Sequence, residues 1–461
     1  MPATDSPAVI VARYLKSNNY TETYEAFINE VGLPYDAGNV SKGDLTIETL
    51  LEEKKTFDVS IRFEKLGVED ANVGWSRPAP STATQIDVLP TASNILSTQV
   101  ENVAEQGQKA APVLLVSTAD RKVHILDAWS NALQRTLANL HDSPVLSCST
   151  VKGQHLLTSS MSGSLHLNDT NGSSISKRRD HSKYVVKVAV LEDSTTGTIV
   201  ATAGWDNAIF IYKPQDTNGA IELGEPKATI PLQTKPEAMI WLRHPENQQP
   251  VLLVSRTDSN NIFFYTAEDP PRLLGKQNLA PHSNAWVAFT PSSLELCPTD
   301  PTLLAVGTSS VPHMKLLIVR LLFPPWEPEP ARRPPQALRS SLLDDNPVQE
   351  TQASQARAAL AVADREHAAI QIHCTTMAPQ TAYSTPAVMW RPDGSGVWVN
   401  GDDGAVRGIE ACSGKVVATL LGHEPGSKVR CLWAGMVKSE EGQKEILVSG
   451  GFDQKLIVWN V

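Results

Sequence analysis

The sequence predicts a mainly β protein: a seven-bladed β-propeller over residues 84–461, preceded by a small N-terminal α-helical module. Three observations lead there. Short β-rich runs recur at a period of roughly 40–50 residues, the spacing at which four short strands make one propeller blade. Each run keeps one order: an apolar strand, a tight polar turn, then a second strand ending in an aromatic or polar residue. The first 67 residues differ in texture, with apolar side chains at helical intervals.

The segment from Val9 to Leu15 places Ile10, Val11, Tyr14 and Leu15 on one helical face, and Asn18 and Asn19 break that helix. A second helix carries Thr23, Ala26, Phe27 and Glu30, with Thr21 as its N-cap and Gly32, then Pro34, as its stop. A third helical stretch begins near Thr46, with Ile47, Leu50, Leu51, Phe57 and Ile61 at roughly helical spacing. Helices this short cannot bury an apolar stripe alone, so the stripe needs a partner, and a second copy of the chain is the simplest one. An aliphatic run from Ile10, then Tyr14-Leu15, Asn19-Tyr20, Thr23, Ala26-Phe27 and Glu30 resembles the LisH (lissencephaly-homology) motif. The resemblance implies homodimerisation through Ile10, Tyr14, Leu15, Tyr20, Ala26 and Phe27.

Residues 68–83 read as a linker, on the Pro- and Ser-rich composition of 76–83. After it come the repeats. The clearest runs from Ile446 to Asn460; the segments Ala201 to Tyr212 and Leu253 to Tyr265 copy it, and weaker copies end at Asp127, Asp169 and Glu410. Thr158, Thr202, Ser255 and Ser449 each stand four residues before the turn positions Ser162, Asp206, Ser259 and Asp453. Seven turns follow, near Asp120, Ser162, Asp206, Ser259, Ser309 to His313, Asp403 and Asp453.

These repeats resemble the WD-repeat family. The resemblance implies a structural hydrogen-bond set of His423, Ser449, Asp453 and Trp459 in the last repeat. His141 and His181 stand at similar places before the second and third repeats, which depart from the pattern with Asn168 and Tyr212 where Trp would stand. The chain stops at Val461, after the third strand of the last blade, and Thr84 to Leu89 is placed to supply the fourth. Residues 323–366 read as a flexible insertion in blade five, opening Phe323-Pro324-Pro325-Trp326. Its Pro-rich start is a candidate polyproline ligand, Ser340 and Ser341 are candidate phosphate acceptors, and the Ala-rich stretch from Thr351 to Ala369 a candidate helix.

Composition limits the function. The formal net charge of -10 disfavours nucleic acid as a partner. The five cysteines are scattered, with neither disulfide nor zinc spacing, which suits reduced thiols in a cytoplasmic or nuclear protein. No apolar run reaches the length of a membrane span, so no membrane partner is expected. There is no nucleophile elbow, no metal-binding pair and no phosphate loop: Gly422 to Lys428 is one residue short between its glycines, and Asp402-Asp403-Gly404 is a tight turn. No catalytic, metal or cofactor site is assigned. The expected function is a non-catalytic scaffold or adaptor, homodimeric, that binds other proteins. The alternative is a substrate receptor of a ubiquitin ligase. The Trp-Asp-x-Arg signature of many cullin-associated propellers is absent, since the strand ends read Leu126-Asp127-Ala128-Trp129 and Trp459-Asn460-Val461.

Overall fold

A β-strand turns alternate side chains to opposite faces of its sheet, and that alternation organises the ring. The computed structural model describes residues 6–40, 44, 46–48, 74–104, 110–193, 197–217, 220–282, 289–327 and 352–461. The chain divides into two units, Met1–Ala71 and Asn72–Val461. The second is a seven-bladed propeller, each blade a four-stranded antiparallel sheet. The second and third strands of most blades are continuous apolar runs because both faces are covered. Leu114 and Val116 pack towards blade seven, whereas their neighbours Val113 and Leu115 pack towards blade two. The core is therefore a ring of seven apolar clusters, one at each blade–blade interface. Removing a branched side chain from any of them costs about 2–5 kcal/mol.

Blade seven is built from both ends of the unit. Its strands Val429–Ser439, Gly442–Gly451 and Leu456–Asn460 are completed by Thr82–Gln85. The closing strand pairs Thr82 with Asn460 and Gln85 with Ile457. Its own residues are exposed, so hydrogen bonds hold it, and the apolar anchor is the next residue, buried Ile86.

The stretch read as a linker is built into the ring from residue 74 onward. Arg391, 1% exposed, sets this segment. Its five N–H donors meet both Glu445 carboxylate oxygens, Ser395 Oγ and the carbonyls of Ser76 and Pro78, at 2.7–3.2 Å. The Trp75 ring lies 4.7 Å from the guanidinium and edge-on to Trp398 at 5.0 Å. Gly396 and Gly408 make room for it: a Cβ on either would stand within about 2.5 Å of the indole. We call Trp75–Pro78 the strap.

The insertion also departs from its reading as a flexible loop, at both ends. Phe323 and Trp326 pack against blade four beside His244, whose Nε2–H donates to the Pro324 carbonyl at 2.8 Å. The Pro-rich start is thus occupied within its own chain. A helix, Gln352–Ala369, leads into the last strand of blade five, and its Glu366 accepts from the Asn278 N–H at 2.7 Å. Ser340 and Ser341 lie outside the described residues.

In the N-terminal unit, α1 spans Pro7–Ser17 and α2 spans Thr21–Val31. Ser6 caps α1 by accepting from the Val9 N–H, with Pro7 at the first helical position. Thr21 is not a cap: it is the first residue of α2, and the capping position belongs to Tyr20, which makes no side-chain bond. Gly32 ends α2 in the left-handed conformation, φ 72°. Of the third helical stretch only Ile47 and Glu48 are described, both helical; Leu50, Leu51, Phe57 and Ile61 lie outside the described residues.

Two outcomes follow. Trp75→Ala should lower the unfolding free energy by on the order of 2 kcal/mol, less than for a wholly buried Trp, because the ring is only partly buried. Urea titration measures it, and an unchanged midpoint would show the strap to be idle. Removing the chain up to Leu89 should lower the melting temperature of the whole ring; an unchanged thermal melt would mean that the closing strand is dispensable.

Candidate interaction surfaces

The two N-terminal helices split their apolar residues into an inner and an outer row. The inner row is Val9, Ala12, Tyr24 and Ile28, all buried, with Leu15, Phe27 and Leu33 partly covered against it. Arg13 is buried in the same layer, paired with Asp44 at 3.2 Å. The Tyr24 hydroxyl ties down the following loop, donating to the Tyr35 carbonyl at 2.9 Å and accepting from the Gly38 N–H. The face expected from the periodicity, Ile10 with Val11, Tyr14 and Leu15, thus lies on nearly the opposite side of α1 from buried Val9, Ala12 and Arg13. Ile10, Tyr14, Leu15 and Phe27 are half-buried, and Tyr20 and Ala26 are exposed. Tyr14 and Tyr20 come together, ring centroids 6.4 Å apart. This outer row is the apolar surface that the helical pair leaves wholly or partly in solvent.

In blade seven, four residues from four segments meet. His423 precedes the first strand, Ser449 lies in the second, Asp453 in the turn and Trp459 in the third. His423 Nδ1 lies 3.0 Å from both Asp453 oxygens, and Nε2 lies 2.8 Å from Ser449 Oγ. The Trp459 indole N–H donates to the same Ser449 Oγ at 2.9 Å. The chain of donors runs one way when the imidazole is neutral with its proton on Nδ1: His to Asp, Ser to His, Trp to Ser. Burial agrees, holding the His423 pKa below its ordinary value. Gly422 is required beside it, because a Cβ there would stand 2.8 Å from the Trp459 ring.

Blade three keeps most of this arrangement. His181 bridges Asp206 at 2.9 Å and Thr202 at 2.9 Å, while the Tyr212 hydroxyl donates to Asp180 instead. Blade two has lost more of it. Ser162 stands where the carboxylate would be, so His141 bonds only Thr158, at 2.9 Å, and its buried Nδ1 has no partner. A second imidazole, His166, stacks on His141 at 3.8 Å. Burial pushes the His141 pKa down to about 3.

One end of the propeller disc carries the turns between second and third strands together with the segments entering each first strand. They are laced together in register. The N–H groups of Ala119, Met161, Trp205, Thr257 and Phe452 donate to the carbonyls of Asn94, Pro144, Tyr184, Lys235 and Lys428. Trp205 is 39% and Phe452 42% exposed, so this face presents aromatic surface to solvent. The turn pattern alone does not mark these two positions; their signal in the sequence is an aromatic where the equivalent turns carry Ala119, Met161 and Thr257. Between blades one and two lies a cleft of about 290 Å³, walled by Val103, Val113, Leu115, Ile125 and Leu156.

Fold and surfaces together define a β-propeller protein headed by a LisH helical pair, two domain types that suit protein interaction. Two family models match, the UCP007778 LisH domain over residues 8–37 and the UCP007778 beta-propeller domain over residues 85–460. The protein belongs to the UCP007778 family. A search of curated proteins finds no match.

Blade two yields a pH prediction. An unfolded histidine binds its proton near pH 6.5, whereas folded His141 does so only near 3. The unfolded chain therefore takes up the proton first, and this contribution to stability is complete above about pH 6.5 and is lost as pH falls from there towards 3. His141→Gln should flatten the fall in melting temperature between about pH 7 and about pH 5. Parallel pH profiles for variant and wild type would show that the His141–His166 stack does not titrate on unfolding.

Proposed function

We propose that this chain is a non-catalytic interaction scaffold, homodimeric through α1 and α2, that displays two propellers of the WD-repeat type to other proteins. The observation that carries the reading is the outer row of the helical pair. Short helices that bury one apolar row and leave Ile10, Tyr14, Tyr20 and Phe27 wholly or partly in solvent have a surface to cover, and self-pairing covers it. Two rigid discs on one dimer then gain avidity for any partner assembly with two sites. The WD assignment is supported by the His423–Asp453–Ser449–Trp459 chain and its reduced form in blade three. A non-catalytic role is supported by the same chemistry, since the imidazoles of His423 and His181 are each held between a carboxylate and a hydroxyl in the blade edge. A cytoplasmic or nuclear setting suits the five unpaired thiols, with Cys148, Cys374 and Cys431 raised by burial to about 12, 11 and 11.

The test is self-association. By sedimentation velocity the wild type should run as a dimer and Phe27→Asp as a monomer with an intact propeller melt. Proteins co-purifying with the tagged wild type in its native cells should be depleted with the variant. A monomeric wild type, or a variant that still pairs, would remove the helical pair as the dimer interface. Ubiquitin-ligase subunits dominating the wild-type list would replace the scaffold by a substrate receptor.

A further inference from the structure

The exposed aromatics of the propeller face are not scattered evenly. Tyr184 and Trp205 meet in blade three with ring centroids 5.3 Å apart, and the Lys235 ammonium of blade four stands 4.8 Å from the Trp205 ring centroid. Tyr184 is 38% and Trp205 39% exposed. An aromatic pair capped by a lysine is a surface, and the question is what it is shaped to take.

The backbone beneath it is fixed. The His181 imidazole and the Ser182 N–H both bind Asp206, and the Trp205 N–H donates to the Tyr184 carbonyl at 2.9 Å. From blade two, the turn glycine Gly163 sits so close that a Cβ would come within 2.5 Å of the His181 carbonyl and 2.8 Å of that of Lys183. Lys235 is held through its own carbonyl, which accepts from the Thr257 N–H at 2.9 Å. Side chains projected from such a corner lose little freedom on binding, and that is what makes aromatic anchors effective.

Among the charged side chains beside the pair, the exposed ones are Lys183, Lys235 and Asp258, two cations to one anion. Lys183, Lys235 and Arg256 are the cations here, and among the described residues none of them forms an ion pair with a carboxylate. Arg256 is turned to Thr234 and Gln233 and lies over the Phe263 ring. The local carboxylates are Asp206, Asp180, Glu237 and Asp258. Asp206 is spent on His181 and Ser182, and Asp180 on Arg178 and Tyr212. Glu237 is part-buried, its carboxyl raised by burial and lowered by Ser292 and Lys235, and Asp258 is the exposed anion. A cationic, aromatic corner on a chain of net charge -10 is local and is not part of a general basic surface.

We propose that the Tyr184–Trp205–Lys235 corner docks an acidic linear segment of a partner protein, an apolar side chain lying on the Trp205 ring and neighbouring carboxylates on Lys183 and Lys235. The proposal rests on the scaffold reading and names the chemistry of one partner. Nucleic acid would also satisfy a cation and a ring, but a phosphate backbone carries its charge on beyond the corner over the acidic remainder of the chain, whereas a short segment with two or so carboxylates ends at the two lysines.

The experiment pans a random peptide display library on the full-length protein, then measures the selected peptides by fluorescence anisotropy. Expected are sequences that combine Asp or Glu with Leu, Phe or Pro. Trp205→Ala and Lys235→Glu should each weaken them by about tenfold or more, and affinity should fall with added salt. Phe452→Ala, an aromatic on the same face in blade seven, should leave affinity unchanged. Selected pools without acidic bias, or equal affinity in the Trp205 and Lys235 variants with wild-type melting curves, would overturn the proposal. So would an oligodeoxythymidylate probe that binds more tightly than the peptides and is lost in the same variants. Dimerisation and partner recovery by the wild type are scored separately, so failure here leaves the scaffold reading standing, and failure there does not mimic failure here.

Discussion

Ring closure rests on one short ladder. A propeller of seven blades buries its core at seven interfaces, and each interface needs both neighbours in place. If the ring opens, blades one and seven lose their shared cluster together, Ile95, Leu114 and Val116 on one side and Ile446, Val448 and Val458 on the other. The pairing of Thr82–Gln85 with the end of the chain prevents that, at a point where the residues themselves are exposed and burial contributes little. Closure is therefore a matter of backbone hydrogen bonds and of the Ile86 anchor beside them.

Much of this was legible because it is written locally. The alternation of the strands, the polar turns from Asp120 to Asp453 and the helix stop at Gly32 are each set within a few residues. The His423 set was anticipated through the resemblance to WD repeats, since blades two and three lack the Trp and blade two the Asp. What escaped was long-range. Trp75 and Ser76 meet Arg391, Trp398 and Ser395 across more than three hundred residues of chain, and nothing in a Pro- and Ser-rich stretch advertises that. Phe323-Pro324-Pro325-Trp326 looks like a free ligand until His244 and Phe264 are seen to hold it. The buried row of the helical pair was missed for a different reason. Small Ala12 and amphipathic Tyr24 make its centre, and they weigh little beside Ile, Leu and Phe when apolar spacing is read.

The blades also differ in how completely they satisfy their polar groups. Blade seven closes its donor chain without remainder. Blade three substitutes Thr202 for the serine and redirects Tyr212 to Asp180. Blade two leaves His141 Nδ1 and Asn168 Nδ2 buried without partners. Unsatisfied buried groups cost about 1–3 kcal/mol each, so the ring tolerates a weak blade between strong ones because its interfaces are shared. The Tyr184–Trp205 corner is not weakened with it, since the His181–Asp206 pair pins the backbone beneath.

The strap has a mechanical consequence. The polypeptide that joins the helical pair to the propeller reaches the closing strand only after passing under Arg391. Tension applied through that tether meets the Trp75–Pro78 segment first, clamped by a buried guanidinium and an indole seated on two glycines. Beyond it lies the closing ladder, which begins where Thr82 pairs with Asn460. A pull from the N-terminal side thus meets the strap ahead of the joint whose failure would open the ring.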